Sequence, residues 1–211
     1  MKHGMNFSAV ASVVIVMSGS LLQQATADPL RTWCYEGIFT TVSVDYLNAG
    51  LRIGDPLYGG FRFDKRTPDL TSDPKVGTYL LESSFVYVPA LGAYWTFDGS
   101  GVGKAMTVIS ATGVPTPYDF FEVYQRDTPL DSSADPTKLF YFNGRAPAGA
   151  LFDSDALPNK PPPVSSFEFL NFQYTNTAVT PYNSAAGTVT KLYAARPSTA
   201  SLRSDCGAPA E

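Results

Sequence analysis

Short segments in which apolar and polar residues alternate recur along the chain, separated by Gly, Pro, Asp and Asn. Alternation with a period of two is typical of strands that have one buried and one solvent-facing side. Beyond the N-terminal segment, no long stretch is free of Gly and Pro while showing a 3.6-residue apolar period, so minimal helix is expected. About nine strands are predicted, at 35–44, 60–64, 77–88, 93–98, 104–110, 118–127, 138–144, 165–175 and 187–195.

Many short strands with frequent turn residues predict an all-β, antiparallel two-sheet sandwich. A closed β-barrel would show the same alternation and stays open as an alternative. Within 118–127, Phe121 and Val123 share one side and the residues beside them share the other. Within 165–175 the apolar phase slips near Leu170, which predicts a β-bulge there.

The N-terminal residues have the three parts of a secretory signal peptide. Lys2 provides positive charge, residues 9–17 are apolar, and Ala25-Thr26-Ala27 has the small-x-small pattern of a cleavage site. The apolar run is shorter than a membrane span of about 20 residues. The expected organisation is a signal peptide at 1–27 and one secreted β-domain at 28–211, located in the periplasm or the medium without a membrane anchor.

Removal of this segment takes away His3, the only histidine, and excludes histidine-based triads and metal sites from the remaining chain. It also removes Lys2, so the formal net charge goes from −4 to −5. An acidic chain without a basic stripe is not expected to bind nucleic acid. No cofactor is expected.

Two cysteines remain, Cys34 and Cys206. In an oxidising compartment, an isolated pair without C-x-x-C spacing predicts a structural disulfide that fastens the two ends of the domain.

A family resemblance is carried by "YGGFRFDKRTPDLTSDPKVGTYLL" at 58–81, "ALFDSDALPNKPPPVSSFEFLNFQY" at 150–174 and "GTVTKLYAA" at 187–195. Their order resembles a layout found in uncharacterised secreted proteins of Gram-negative bacteria, many of which carry a C-terminal sorting tag. The chain departs from that layout by ending in "RSDCGAPAE". The resemblance implies an exported β-sandwich and no known activity, and the departure favours release over surface anchoring.

A loop with Asp64, Asp69 and Asp73 raises the question of a calcium site, because carboxylates are calcium ligands. Lys65 and Arg66 offset the negative charge, and Thr-Pro-Asp and Ser-Asp-Pro are typical turn sequences. A turn is therefore predicted, and no metal site. Residues 153–155, which contain a second Asp pair, are interpreted in the same way.

Catalysis without histidine requires other groups. Two carboxylates suffice for glycoside hydrolysis, and Tyr with Lys or Arg can abstract a proton in a lyase. The candidate acids in predicted strands are Glu36, Glu82, Glu122 and Glu168.

The chain contains 2 Trp, 12 Tyr and 14 Phe. Tyr94 and Trp95 are the candidate ligand-binding residues, as a platform for a sugar ring, with burial of Trp95 in the core as the alternative. The expected function is an exported binding or structural protein, with a glycan or an envelope protein as partner. A histidine-free glycan-active enzyme is the alternative.

Overall fold

A computed structural model describes residues 29–73, 75–97, 103–110, 118–127, 138–176, 183–196 and 201–208. The predicted signal peptide at 1–27 lies outside these residues. The described part is all-β with little helix, as predicted. Its ten strands are β1 Leu30–Val42, β2 Pro56–Asp64, β3 Val76–Leu80, β4 Ser83–Val88, β5 Ala93–Thr96, β6 Gly103–Ser110, β7 Tyr118–Arg126, β8 Lys138–Pro147, β9 Phe169–Asn176 and β10 Asn183–Ala195.

In the described residues, helical structure is confined to short pieces. Helix α1 is Val44–Asn48 and α2 is Leu202–Asp205, and single 3-10 turns occur at Pro89–Leu91 and Val164–Ser166. Within the described ranges, none of these helices has the length and apolar character that crossing a membrane requires.

The strands form one continuous antiparallel sheet in the order β3-β6-β7-β8-β9-β10-β1-β2-β4-β5. Strand β1 lies inside this order because it pairs with β10 on one side and with β2 on the other. The predicted two-sheet sandwich is not confirmed. The order of pairing depends on contacts between distant segments, which alternation along one strand does not reveal.

The sheet curls strongly, so that its two halves face each other across the core. The Trp33 ring on β1 lies 5.8 Å from the Phe121 ring on β7, although four strand spacings separate these strands in the sheet. A flat sheet would place them about 19 Å apart. Phe61 on β2 similarly lies 6.0 Å from Phe142 on β8. The concave face is therefore filled by aromatic side chains, and the convex face is available to solvent except where the segment that contains α2 covers β2 and β4.

The alternation in 118–127 is confirmed, because Phe121 and Val123 are buried and the residues on either side of each are partly exposed. The count of nine strands is not confirmed, since the predicted strand at 77–88 is divided by Leu81 and Glu82 into β3 and β4. These two strands lie at opposite parts of the sheet.

The bulge predicted near Leu170 is wrong. Strand β9 begins at Phe169 and pairs with β8 in unbroken register. Leu170, Phe172 and Tyr174 all face inward, whereas Phe167 belongs to the preceding connection. The apparent phase slip came from joining that connection to the strand. The register of β1 with β10 does shift, between Glu36 and Gly37 and again between Phe39 and Thr41.

The predicted disulfide joins Cys34 on β1 to Cys206, with Cα atoms 5.4 Å apart. It fastens the segment that contains α2 over the convex face of β2 and β4. An ion pair between Arg62 and Asp205 at 2.6 Å strengthens the same attachment. The tyrosine hydroxyl of Tyr193 also donates a hydrogen bond to the Cys206 carbonyl at 3.0 Å.

Candidate functional site

Tyr94 and Trp95 lie on opposite faces of β5. Trp95 packs against the core and stacks on Tyr174, with ring centroids 4.2 Å apart and planes inclined by 15°. Tyr94 packs instead with Phe85 on the other face, and the Arg203 guanidinium lies 4.8 Å from its ring centroid. The two rings therefore do not share one flat surface.

A cleft of about 270 Å³ nevertheless lies where β5 approaches the ends of β7 and β8. Its lining residues are Tyr94, Trp95, Thr96, Phe97, Asp127 and Lys138. The segments 98–102 and 128–137, which adjoin this lining along the chain, lie outside the described residues.

The aspartates of the 64–73 loop make local hydrogen bonds. Asp64 pairs with Arg66 at 2.6 Å. The Asp69 carboxylate accepts hydrogen bonds from the backbone N–H groups of Thr71 at 2.9 Å and Thr78 at 2.8 Å. Such bonds from a carboxylate to nearby backbone are those of a turn. The turn interpretation is supported, and among the described residues no group of three acidic, histidine or cysteine side chains is placed to hold a metal ion.

Three of the four candidate catalytic acids lie in ordinary surface settings. Glu36 forms an ion pair with Lys191 at 2.7 Å, and Glu168 forms one with Arg145 at 3.1 Å. Glu82 is exposed in the turn between β3 and β4. Glu122 is half-buried, as Glu36 is, but it forms no ion pair among the described residues and it lies beside a depression of the protein surface.

That depression is a groove of about 300 Å³ on the convex face of β8, β9, β10 and β1. We call it the amide groove because three of its lining residues carry carboxamide side chains. Its lining comprises Thr40, Tyr141, Asn143, Asn171, Phe172, Gln173, Ala186 and Gly187. The small side chain of Ala186 leaves a trough between its larger neighbours.

Strand register brings the amides together. Asn143 lies directly opposite Asn171, and Tyr141 lies directly opposite Gln173. Directly opposed residues share a face of the sheet, with Cβ atoms about 5 Å apart. The four side chains therefore form a two-by-two array, although they come from two strands separated by a long connection.

Hydrogen bonds hold the array in place. The Tyr141 hydroxyl donates to Oε1 of Gln173 at 2.6 Å, and Nε2 of Gln173 donates to the Thr175 hydroxyl at 3.3 Å. On the next strand, the Thr188 hydroxyl donates to Oδ1 of Asn171 at 3.4 Å. A carboxamide offers two N–H donors and an oxygen with two lone pairs. Each amide therefore keeps hydrogen-bonding capacity for a ligand after these contacts are made.

Glu122 on β7 extends the array at one end, directly opposite Asn143. Burial raises the pKa of the Glu122 carboxyl above its ordinary value, and a hydrogen bond with the Asn143 side chain lowers it by less. Burial also raises the pKa of the Tyr141 phenol, and the nearby Glu122 charge adds to this rise. Glu122 therefore interacts with two residues that line the groove.

Sequence reasoning identified Glu122 as one of four acids but missed the amides. Asn143, Asn171 and Gln173 occupy outward positions of alternating segments, where polar residues are expected. The signal that distinguishes them is their juxtaposition across β8 and β9. That juxtaposition depends on strand pairing and register, which the sequence alone does not give.

The chain as a whole has no match among protein-family models, curated proteins or solved structures.

Proposed function

We propose that this chain is an exported binding protein and that the amide groove binds a saccharide. The observation that carries this proposal is the array of Tyr141, Asn143, Asn171 and Gln173 around a trough of about 300 Å³. This volume is at the lower end for small-molecule sites. It suits a short saccharide segment lying in an open groove.

The chemistry of the array matches hydroxyl groups. A sugar hydroxyl both donates and accepts hydrogen bonds, and a carboxamide presents donors and an acceptor side by side. The Tyr141 ring adds an apolar surface next to these polar groups, which suits the C–H face of a sugar ring. The proposal also includes export of the chain. Two features support export: the signal-like residues 1–27 and the disulfide between Cys34 and Cys206.

Binding to a panel of immobilised glycans tests this function. We expect the purified domain to retain a subset of saccharides, and Asn171→Ala and Gln173→Ala to reduce that retention by about tenfold each. Such a loss equals about 1.4 kcal/mol, within the range for a hydrogen bond whose partner is left unsatisfied.

Thr190→Ala is the matched control. Thr190 is exposed on β10, on the same face, but does not line the groove. Its substitution should leave retention unchanged. Equal loss in Thr190→Ala and Asn171→Ala, or no retention of any glycan by the wild type, would contradict the proposal.

A glycan-active enzyme is the second candidate function, and the raised pKa of Glu122 favours it. A carboxyl group with a raised pKa can serve as a general acid. Hydrolysis in the usual manner requires a second carboxylate, and the described lining of the groove contains none. Release of reducing ends from a bound glycan by the wild type, abolished in Glu122→Gln, would establish the enzyme in place of the binding protein.

A further inference from the structure

Glu122 differs from the other outward-facing carboxylates of the described sheet. Among the described residues, the ion pairs are Arg62–Asp205, Arg66–Asp64, Arg145–Glu168 and Lys191–Glu36. None of them includes Glu122. This half-buried carboxylate therefore lacks a cationic partner within the described part of the chain.

The groups that face Glu122 are neutral or already engaged. Thr107 on β6 and Asn143 on β8 lie directly opposite it. Diagonally across β8 lie Tyr141 and Arg145, and Arg145 is paired with Glu168 and lies over the Tyr118 ring at 5.3 Å. Phe120 and Tyr124 flank Glu122 on its own strand.

A partly desolvated carboxylate without a counter-ion is unfavourable for folding. Here it adjoins a groove that contains three carboxamides and no ionised side chain. A cationic group of a ligand placed beside Asn143 would lie about one strand spacing from Glu122, close enough for a charge-assisted hydrogen bond or a strong Coulombic attraction.

We propose that the saccharide bound by the amide groove carries a free amine and that Glu122 binds its ammonium group. This inference rests on the proposed function and adds the chemical class of the ligand. The amides hold the hydroxyl groups, and Glu122 selects the amino sugar from neutral or acetylated sugars. The acidic net charge, −4 for the full chain and −5 without residues 1–27, favours the approach of such a cationic ligand.

The test compares tetramers of glucosamine and of N-acetylglucosamine by isothermal titration calorimetry at a pH where the amines are protonated. We expect the wild type to bind the glucosamine tetramer about tenfold more tightly. Glu122→Gln should remove this preference and leave affinity for the acetylated tetramer within about twofold. Asn171→Ala should weaken the binding of both tetramers.

The dependence on pH provides a second measurement. Affinity for the glucosamine tetramer should rise as Glu122 ionises and fall again as the amines lose their protons, whereas the acetylated tetramer should show neither change.

The amino-sugar inference is wrong if both tetramers bind wild type equally, or if Glu122→Gln weakens the binding of both equally. The proposed saccharide function survives either result. Failure of the wild type to bind these tetramers or any other glycan would overturn both proposals. Retention of other glycans alone would overturn only the amino-sugar inference.

Discussion

Trp95 stacks on Tyr174 at a centroid distance of 4.2 Å and joins β5, at the end of the sheet, to β9 near its middle. Four strands lie between these two in the sheet, so this contact helps to close the curl over the core. The role of Trp95 in the described structure is thus one of packing.

Trp95→Ala should therefore lower the free energy of unfolding by about 2–4 kcal/mol. This cost is smaller than the largest costs of truncating a fully buried aromatic side chain, because Trp95 is only partly buried. Trp95→Phe should retain most of the stack and cost about 1 kcal/mol. Urea denaturation measures both, with Leu80→Ala, an exposed apolar side chain on β3, as a control near zero. Unchanged stability in Trp95→Ala, together with loss of glycan retention, would return Trp95 to the role of a ligand-binding residue.

Gly60 lies beneath the disulfide. A Cβ atom at this position would come 2.5 Å from Sγ of Cys206 and 3.0 Å from the Phe85 ring. Gly60→Ala should destabilise the fold by about 1–3 kcal/mol, because the sulfur is fixed by its bond to Cys34 and has little room to move. The measurement is urea denaturation of the oxidised protein.

A double-mutant cycle isolates the contact with sulfur. In a Cys34→Ala, Cys206→Ala background the cost of Gly60→Ala should fall, since the sulfur is gone and α2 is released. That background should itself be less stable by up to about 5 kcal/mol, as expected for closing a loop with a sequence separation of 172. An identical cost in both backgrounds would show that Phe85, not the disulfide, requires glycine here.

The positions of most strands could be predicted from the sequence, whereas the amide groove could not. Alternation located most strands because the period of side chains along a strand is a local property. The alternating pattern predicted β3 and β4 as one strand, because the break at Leu81-Glu82 contains neither Gly nor Pro. It could not place Asn143 beside Asn171, because that requires the register of two segments separated by the proline-rich connection.

Asp119 gives a second example of a non-local contact. Asp119 lies two residues before Phe121 on β7 and therefore faces inward like Phe121. It is fully buried although it is acidic. The carboxylate accepts backbone hydrogen bonds from Gly149 at 3.1 Å, Leu151 at 2.8 Å and Phe152 at 3.1 Å. It thereby anchors the start of the connection from β8 to β9.

Asp119→Ala should destabilise the fold by about 2–4 kcal/mol, because three backbone N–H groups, that of buried Phe152 among them, lose their acceptor. Asp119→Asn keeps one oxygen and should cost roughly half as much. Denaturation gives the energies, and hydrogen exchange of the Leu151 and Phe152 amides locates the effect. Exchange that stays slow in Asp119→Ala would show that another group holds this connection.

Asp69 organises the turn between β2 and β3. Burial would raise the pKa of its carboxyl, but the hydrogen bonds from Thr71 and Thr78 lower it on balance. Because the folded pKa lies below the unfolded one, the stability from this group is present above the unfolded pKa and is lost as pH falls through the folded pKa. The difference in melting temperature between wild type and Asp69→Ala should therefore be largest near neutral pH and shrink below about pH 4.

The same hydrogen bonds predict the response to calcium. With one Asp69 oxygen engaged by backbone N–H groups and Asp64 paired with Arg66, we expect millimolar calcium to leave the melting temperature within about 1 °C. Saturating ligand at 100 times its Kd would instead add about 2.7 kcal/mol. A rise of several degrees that Asp69→Ala removes and Asp153→Ala preserves would establish a calcium site in this loop.

Ionised Glu122 is predicted to lower the stability of the ligand-free fold, although the same negative charge serves ligand binding. Its pKa is raised by burial, so the stability linked to this group is present below the unfolded pKa and is lost as pH rises through the folded pKa. Glutamine keeps the shape of the neutral form at every pH. Glu122→Gln should therefore raise the melting temperature at pH 7 and give no gain below about pH 4, where the wild-type carboxyl is itself protonated. Glu36→Gln, which removes the partly buried ion-pair partner of Lys191, should show no such gain at pH 7. Thermal unfolding from pH 3 to pH 8 measures both variants, and a loss of stability in Glu122→Gln at neutral pH would mean that native contacts stabilise the ionised carboxylate without a ligand.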